Sequence, residues 1–133
     1  MSLIEDYLEA DVFDALAFAP CSKAGDLLFI SGVAPLRGNM ADLELVGLGD
    51  MAAQTSFVLK ILKAILSKED LDPSAIVNWT VYTTDMDQLM ELAGAVLLPW
   101  LGDHRPSSTF VGCATLAHPQ QMVEITATAL LAK

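Results

Sequence analysis

The stretch from Met122 to Leu131 restricts the fold more than any other feature of the chain, because apolar and polar residues alternate along it. The apolar set is Val123, Ile125, Ala127 and Ala129, and the polar set is Glu124, Thr126 and Thr128. An alternation with a period of two predicts a β-strand, with one set facing a core and the other facing away from it. The chain is therefore expected to build a sheet whose two faces differ in character.

Four further segments complete the predicted strand content. Leu27 to Ser31 is a short apolar run and is typical of a buried strand. Residues 76–83 alternate and are rich in β-branched and aromatic side chains, which favours a second strand. Residues 108–115 are predicted to form a third. Residues 36–49 contain glycine and asparagine breakers, so we expect a loop with a short strand at 43–46.

Two helices are predicted between these strands. Asp50 is a candidate N-cap. The residues behind it include apolar side chains at helical spacing, namely Val58, Ile61, Leu62, Ile65 and Leu66. Thr84, with Asp87 three residues later, matches the start of a second helix that continues to about residue 100. Gly102 is expected to end this helix.

The first 19 residues allow two interpretations. Leu3, Tyr7 and Leu8 have helical spacing, whereas Val12 to Phe18 is a candidate first strand. We treat residues 1–19 as a candidate variable N-terminal extension of a single domain spanning residues 1–133, since this length is typical of one domain. The element order predicts an α+β fold, with one mixed sheet and two helices packed on one face.

The helix-free face of such a sheet needs a cover, and the composition favours further copies of the same chain. Hydrophobic residues make up 53% of the sequence and charged residues 18%, an apolar-rich balance for a small domain. Because a small domain has a large surface to cover, we expect the surplus apolar residues to lie in a subunit interface. The alternative is a monomer rich in alanine and leucine.

The net charge of −10 excludes two classes of partner. It repels phosphate backbones and anionic membranes, so we expect neither a nucleic acid nor a membrane as partner. Five of the acids are close to the N-terminus and are expected to form a solvated face: Glu5, Asp6, Glu9, Asp11 and Asp14. The absence of a signal-like opening, of a long apolar run and of a disulfide framework predicts a cytoplasmic protein.

Neither a metal nor a cofactor is expected. His104 and His118 share no ligand spacing with Cys21 or Cys113. The segment Gly47-Leu48-Gly49 precedes a helix but lacks the third glycine of a dinucleotide-binding motif. Any chemistry is therefore expected to come from the side chains themselves.

Two places in the sequence are candidates for such chemistry. The segment Asp103 to Thr109 is polar and enters a strand. Its Arg105 guanidinium either holds a carboxylate together with nearby hydroxyl groups or belongs to a solvated loop. Glu124 is the only acid after Asp103. It is either an acid on the surface of a strand or the buried carboxylate of a pocket, where it would serve as a general acid or base.

Several segments occur in the same order and spacing as in the Rid, or YjgF-like, family. They are Ser31-Gly32 after an apolar strand, the helix with Gln54, residues 77–86 (VNWTVYTTDM), Arg105-Pro106 and Val123-Glu124-Ile125. The chain resembles this family over residues 20–132. The resemblance implies a chorismate-mutase-like fold and a homotrimer with small-molecule pockets in the clefts between subunits. It also implies hydrolysis of reactive imines and enamines.

At the site this resemblance is uneven. Glu124 matches the family's pocket glutamate, but several other positions differ. The differing residues are Ser108 in place of a carboxylate-binding arginine, Cys21 in place of a tyrosine, Val33 in place of a glutamine and Gly94 in place of an asparagine. Arg105 lies three residues before Ser108, and along a strand a shift of three reverses the facing. Arg105 is therefore not expected to replace the missing arginine directly.

The leading hypothesis is a divergent, trimeric hydrolase or deaminase of imine- or enamine-type intermediates, with Glu124 as the catalytic residue. The candidate substrate-binding residues are Ser31, Gly32, Arg105, Ser107, Ser108, Thr109 and Cys21. The alternative is a non-catalytic trimer that binds a small ligand or regulates a partner. The net charge opposes a ribonuclease or translation inhibitor, and a chain with only two arginines is poorly suited to a dianionic chorismate.

Overall fold

The computed structural model describes residues 4–131 of the chain. Its helices are α1 (Ala10–Leu16), α2 (Met51–Ser67), α3 (Met86–Leu92) and α4 (Leu98–Leu101), with a 3₁₀ turn at Pro73–Ala75 and a π-helical turn at Ala93–Leu97. Its strands are β1 (Cys21–Ala24), β2 (Leu27–Val33), β3 (Leu36–Asn39), β4 (Asp42–Leu45), β5 (Ile76–Thr83), β6 (Ser107–Gly112) and β7 (Val123–Leu130).

Five of the strands form one sheet in the order β1-β2-β7-β5-β6. The β5–β6 pair is parallel and the other neighbouring pairs are antiparallel, so the sheet is mixed. A parallel pair needs a crossover connection, which α3 provides between β5 and β6. Helix α2 packs against β2, β7 and α3. The predicted α+β fold, with one mixed sheet and two helices packed on one face, is confirmed. Helix α1 is additional and contacts β3 instead. That the whole chain forms one domain stays a prediction.

The alternation along β7 separates the two faces of the sheet as predicted. The buried set, on the helix side, is Val123, Ile125, Ala127 and Ala129. The half-buried set, on the helix-free side, is Glu124, Thr126 and Thr128. Phe29 on β2 points to this same side and is 43% exposed. The free face of the sheet therefore presents both polar and apolar groups.

Helix α2 begins where the sequence predicted it to begin. The Asp50 side chain accepts a hydrogen bond of 3.0 Å from the backbone N–H of Ala53, which is one of the groups left without a partner at a helix start. The predicted apolar stripe is completely enclosed, because Val58, Ile61, Leu62, Ile65 and Leu66 are at most 2% exposed. This face anchors the helix to the sheet.

Replacement of Asp50 with alanine is expected to lower the free energy of unfolding by about 1 kcal/mol, because the Ala53 N–H loses its acceptor. Urea denaturation followed by circular dichroism measures this loss. Asp50→Asn is the matched control, since asparagine retains a side-chain oxygen acceptor at the N-cap. An alanine variant as stable as the asparagine variant would contradict the capping role.

The second helix begins one residue later than the sequence suggested. Asp85, and not Thr84, is the N-cap, and its carboxylate accepts from the Gln88 backbone N–H at 3.1 Å. The helix then widens into the π-helical turn shortly before Pro99. Proline has no N–H to donate to the preceding turn, which gives a physical reason for the change in hydrogen bonding. Gly102 ends the helix with a positive φ of 63°, as predicted.

Neither interpretation of the N-terminal segment was right. Leu3 lies outside the described residues, and Tyr7 and Leu8 are not helical. Leu8 instead forms a parallel bridge with Gly38 of the β3–β4 hairpin. The predicted strand at 12–18 is helix α1, which buries Val12 and ends at Ala17 with a left-handed φ of 60°. The apolar residues that this short helix buries on one side were mistaken for the apolar pattern of a strand.

Two strand predictions also needed adjustment. The segment 36–49 contains the complete β3–β4 hairpin, and not one isolated strand. Strand β6 ends at Gly112, earlier than the predicted residue 115. Among the described strands it pairs with β5, whose last residue, Thr83, lies opposite Gly112. The Cys113 N–H still donates to the Thr83 carbonyl at 2.8 Å, and the strand pairing stops there.

Asp6 is exposed, as expected of a solvated acidic face, but it also forms ion pairs. Its carboxylate lies 3.0 Å from the Arg37 guanidinium and 2.9 Å from the Lys60 ammonium group. These cations hold the pKa of Asp6 below its usual value, with the Lys60 hydrogen bond as the main cause. The pairs connect the N-terminal segment to the hairpin and to α2, although exposed pairs of this kind contribute little stability.

Candidate functional site

A cavity of about 490 Å³ lies between the N-terminal segment, the β3–β4 hairpin and the start of β7. Its lining is mostly apolar. The lining residues are Tyr7, Leu8, Val12, Leu16, Phe18, Gly32, Ala34, Leu36, Met40, Leu43, Ala117, His118 and Glu124. Binding sites for small molecules are usually concave and apolar, with a few polar groups, and this cavity has that character.

Glu124 is the carboxylate of this cavity. The alternation of β7 directs its side chain to the helix-free face. Its Oε1 accepts a hydrogen bond of 3.1 Å from Gln121 Nε2. No donor among the described residues bonds to Oε2, which lies against the backbone of Gly32. A β-carbon at position 32 would overlap Oε2 and would lie 3.0 Å from the carboxyl carbon. The Glu124 carboxylate therefore depends on a residue without a side chain beneath it.

The close approach at Gly32 comes from an irregularity in the β2–β7 pairing. Ile30 pairs with Ala127 and Val33 with Ile125, so β2 has one extra residue between them. Ser31 Oγ donates to the Ala19 carbonyl at 2.6 Å. Ser31 and Gly32, which were both predicted to bind substrate, thus have different roles. Gly32 lines the cavity, whereas the Ser31 hydroxyl connects the bulge to the segment before β1.

Gln54 holds the loop that leads into β7. This fully buried residue donates to the carbonyls of Gly47, at 3.1 Å, and of Gln120, at 3.2 Å. Its Oε1 accepts from the Met122 backbone N–H at 2.7 Å. Gln121, buried next to it, donates to the Glu124 carboxylate. The position of Glu124 therefore depends on two buried amide side chains, and sequence reasoning missed the one at Gln121.

Tyr7 and His118 are further polar groups in the cavity that the sequence did not single out. The Tyr7 hydroxyl accepts from the Ala34 backbone N–H at 3.3 Å. Burial raises the pKa of Tyr7 to about 12, and the negative charge of Glu124 adds to the increase. His118 Nδ1 accepts from the Gln120 backbone N–H at 3.0 Å, which places the ring proton of the neutral form on Nε2.

Arg105 belongs to a different cavity, of about 280 Å³, on the helix side of the sheet edge. Ser108, Gly94 and Trp79 also line it. Arg105 lies before the start of β6, so the expectation that a shift of three residues would reverse its facing relative to Ser108 was wrong. The guanidinium Nη1 donates to the carbonyls of Gly102, at 2.6 Å, and of His104, at 2.8 Å. Ser108 Oγ accepts from Trp79 Nε1 at 2.9 Å.

Ser107, Thr109 and Cys21 line neither of these two cavities. Ser107 Oγ donates to the Val77 carbonyl at 2.9 Å and is part of the local pairing of the edge strand. Thr109 is exposed on β6. Cys21 is half-buried on β1, and burial raises the pKa of its thiol. Of the predicted site residues, the structure therefore brings together Glu124 with Gly32, and separately Arg105 with Ser108.

Arg37 is part of β3 in the hairpin but does not line the Glu124 cavity. Its guanidinium makes two bonds to Glu44, of 3.1 and 3.0 Å, and one bond of 3.0 Å to Asp6. The hydrogen bond that Arg37 donates to Glu44 is the largest cause of its raised pKa. Within residues 4–131 no cluster of side chains has the make-up of a metal site, and no helix is long and apolar enough to cross a membrane.

Comparison with protein families gives a match over most of the chain. The profile described as Endoribonuclease L-PSP matches residues 13–131. Protein DfrA of Myxococcus xanthus is 41% identical over 63 residues, which are 47% of this chain and 46% of that protein. A RutC family protein of Pyrococcus horikoshii is 29% identical over 99 residues, 74% of this chain and 75% of that protein.

A third relative has a named activity. The 3-aminoacrylate deaminase RutC of Acinetobacter baylyi is 42% identical over 50 residues, 38% of this chain and 37% of that enzyme. The aligned segment thus spans less than half of this relative, as it does of DfrA. What these whole proteins do is therefore not transferred by the match itself.

Solved structures share the fold. A protein from Thermotoga maritima superposes with a TM-score of 0.74 at 31% identity, over 87% of each chain. A member of the YjgF/YER057c/UK114 family from Mycobacterium tuberculosis superposes with a TM-score of 0.78 at 24% identity, over 94% of this chain and 96% of that one. At the latter identity the similarity is evidence for the fold alone.

Proposed function

This chain belongs to the endoribonuclease L-PSP family, also called the YjgF or Rid family, and from that membership we propose that it hydrolyses the C=N bond of a small imine, or of an enamine after tautomerisation. The family resemblance noted in the sequence is confirmed. The specific activity is our proposal, and the partial match to a deaminase supports it.

The observation that carries the proposal is the Glu124 carboxylate in its apolar cavity. One oxygen is fixed by Gln121, and among the described residues the other has no donor. We infer that Glu124 Oε2 takes a proton from a water molecule while the water oxygen adds to the imine carbon. The nitrogen takes up that proton, which gives a carbinolamine. Glu124 then transfers the proton of the new hydroxyl group to the nitrogen as the C–N bond breaks, so that ammonia or an amine leaves and the carbon becomes a carbonyl.

The proposed assembly is a homotrimer with its ligand in the clefts between subunits, and the proposed location is cytoplasmic. The helix-free face supports the first part, since it carries Phe29, which is 43% exposed, beside the half-buried polar side of β7. Two half-buried cysteines that form no disulfide are in keeping with the second part.

A second candidate function is ligand binding without turnover. The separation of Arg105 and Glu124 into two cavities favours it, because the described chain offers no guanidinium to fix a substrate carboxylate beside Glu124. A ligand that raises the melting temperature without being converted would support this candidate. We do not propose a nuclease, since the net charge of −10 opposes contact with RNA.

The proposed activity is tested by a coupled assay in which an amine oxidase or an amino-acid oxidase produces an imine in situ, without or with a carboxylate, and ammonia release is followed. Arg105→Ala is expected to retain turnover within about twofold of the unmodified protein, because Arg105 lines the other cavity. Lys63→Ala, which removes an exposed cation from α2, is the control. A selective loss of turnover in Arg105→Ala would instead show that Arg105 serves as a relocated carboxylate clamp.

A further inference from the structure

We propose that the Glu124 cavity selects a cationic ligand with an apolar body, meaning a protonated imine or an amine that has no carboxylate of its own. This inference rests on the proposed function for the location of the site and goes beyond it in naming the substrate class. It is carried by the charges and walls of the cavity, which point to a ligand unlike a keto-acid imine.

The charge of the cavity is the first part of the argument. Its lining contains the Glu124 carboxylate and no lysine or arginine among the described residues. A carboxylate whose surroundings are apolar attracts a cation more strongly than it would in water, and it repels a second carboxylate to a similar degree. An anionic ligand would therefore meet repulsion from Glu124 in this cavity, with no guanidinium from residues 4–131 of the same chain to offset it.

The cations closest to the hairpin do not change this balance. Arg37 is bonded to Glu44 and Asp6, and Lys60 is bonded to Asp6. Arg105 lines the cavity on the other side of the sheet. The arginines and Lys60 are thus engaged or placed elsewhere, and His118, the basic side chain that does line the cavity, accepts a hydrogen bond at Nδ1 in its neutral form.

The shape and walls of the cavity are the second part. Its volume of about 490 Å³ is in the usual range for a small organic ligand. Leu16, Phe18 and Leu43 offer apolar surface, and the aromatic rings of Tyr7 and Phe18 suit a cation as well as a hydrocarbon group. A ligand with an apolar body at one end and a charged nitrogen at the other would satisfy both features.

The oxygen that remains free on Glu124 completes the argument. Gln121 occupies Oε1, and Oε2 lies against the Gly32 backbone without a donor among the described residues. A protonated C=N–H or an ammonium group would supply that donor in a charge-assisted hydrogen bond. The same contact would stabilise the protonated imine, which is the form that water attacks most readily.

Three probes of similar size and different charge test the inference, namely benzylamine, benzyl alcohol and benzoate. Isothermal titration and melting shifts of the full chain are expected to show benzylamine binding at least about tenfold more tightly than the other two. In Glu124→Gln, which keeps the side-chain shape, this preference is expected to disappear. Glu91→Gln, which removes an exposed carboxylate on α3, is expected to leave it unchanged.

The outcomes separate this inference from the proposed function. Benzoate binding as tightly as benzylamine, or an equal preference for benzylamine in Glu124→Gln, would overturn the inference. Selective benzylamine binding without hydrolysis of any imine supplied by an amine oxidase would uphold it and refute the proposed activity. Hydrolysis of keto-acid imines without selective benzylamine binding would refute the inference and support the proposed activity.

Discussion

Glu124→Gln is expected to reduce the turnover of an imine substrate by about 100-fold or more, because the amide cannot accept the proton that the carboxylate takes from water. Glutamine has almost the same shape, so the close approach to Gly32 is preserved. The melting temperature and the oligomeric state should remain near those of the unmodified protein. The decisive measurement is kcat in the coupled assay, together with a melting curve of the same sample.

The control for this prediction is Glu91→Gln, which removes the same charge from the surface of α3. If Glu124→Gln kept its turnover within a fewfold of that control, the carboxylate would have no part in catalysis. A loss of turnover accompanied by a large loss of stability would indicate that Glu124 acts on the fold and not on the substrate.

Gln54→Leu is expected to cause the largest loss of stability among these variants, about 3 kcal/mol or more in the free energy of unfolding. Leucine fills a similar volume but leaves the Gly47 and Gln120 carbonyls and the Met122 N–H without their partner. Each buried polar group left unsatisfied costs about 1–3 kcal/mol. Urea denaturation monitored by tryptophan fluorescence measures the difference.

The matched control is Gln120→Leu, the same chemical change at an exposed side chain four residues before Glu124. It is expected to alter the free energy of unfolding by less than about 0.5 kcal/mol. A Gln54→Leu variant as stable as this control would mean that water or a local shift satisfies the three backbone groups. Gln54→Leu should also lower turnover, because the loop that Gln54 holds contains Gln121.

The parts of the fold that were predictable from the sequence are those that depend on short-range periodicity. The faces of β7 and the buried stripe of α2 follow from repeats of two and of about three and a half residues. The N-terminal segment has no such repeat. Its Leu8 pairs with Gly38 across 30 positions, and a partner at that distance cannot be derived from local pattern.

The candidate site was predictable only in part, for the same reason. Glu124 was singled out as an isolated acid on a strand, and Gly32 by family resemblance. The hydrogen bond from Gln121 and the wall formed by Tyr7 depend on how distant segments fold together. The argument about the facing of Arg105 failed because it treated a loop residue as part of a strand.

The origin of the cavity wall has a consequence for how ligand preference can change. Residues 4–18 supply Tyr7, Leu8, Val12, Leu16 and Phe18, whereas the sheet and α2 supply the scaffold that holds Glu124. Tyr7, Leu8 and Val12 are also buried in the core, so this stretch contributes to stability as well as to the wall. An exchange of the N-terminal segment near Pro20 can therefore change ligand preference only if it keeps these buried contacts, which leaves exposed wall positions such as Leu16 as the ones free to diverge.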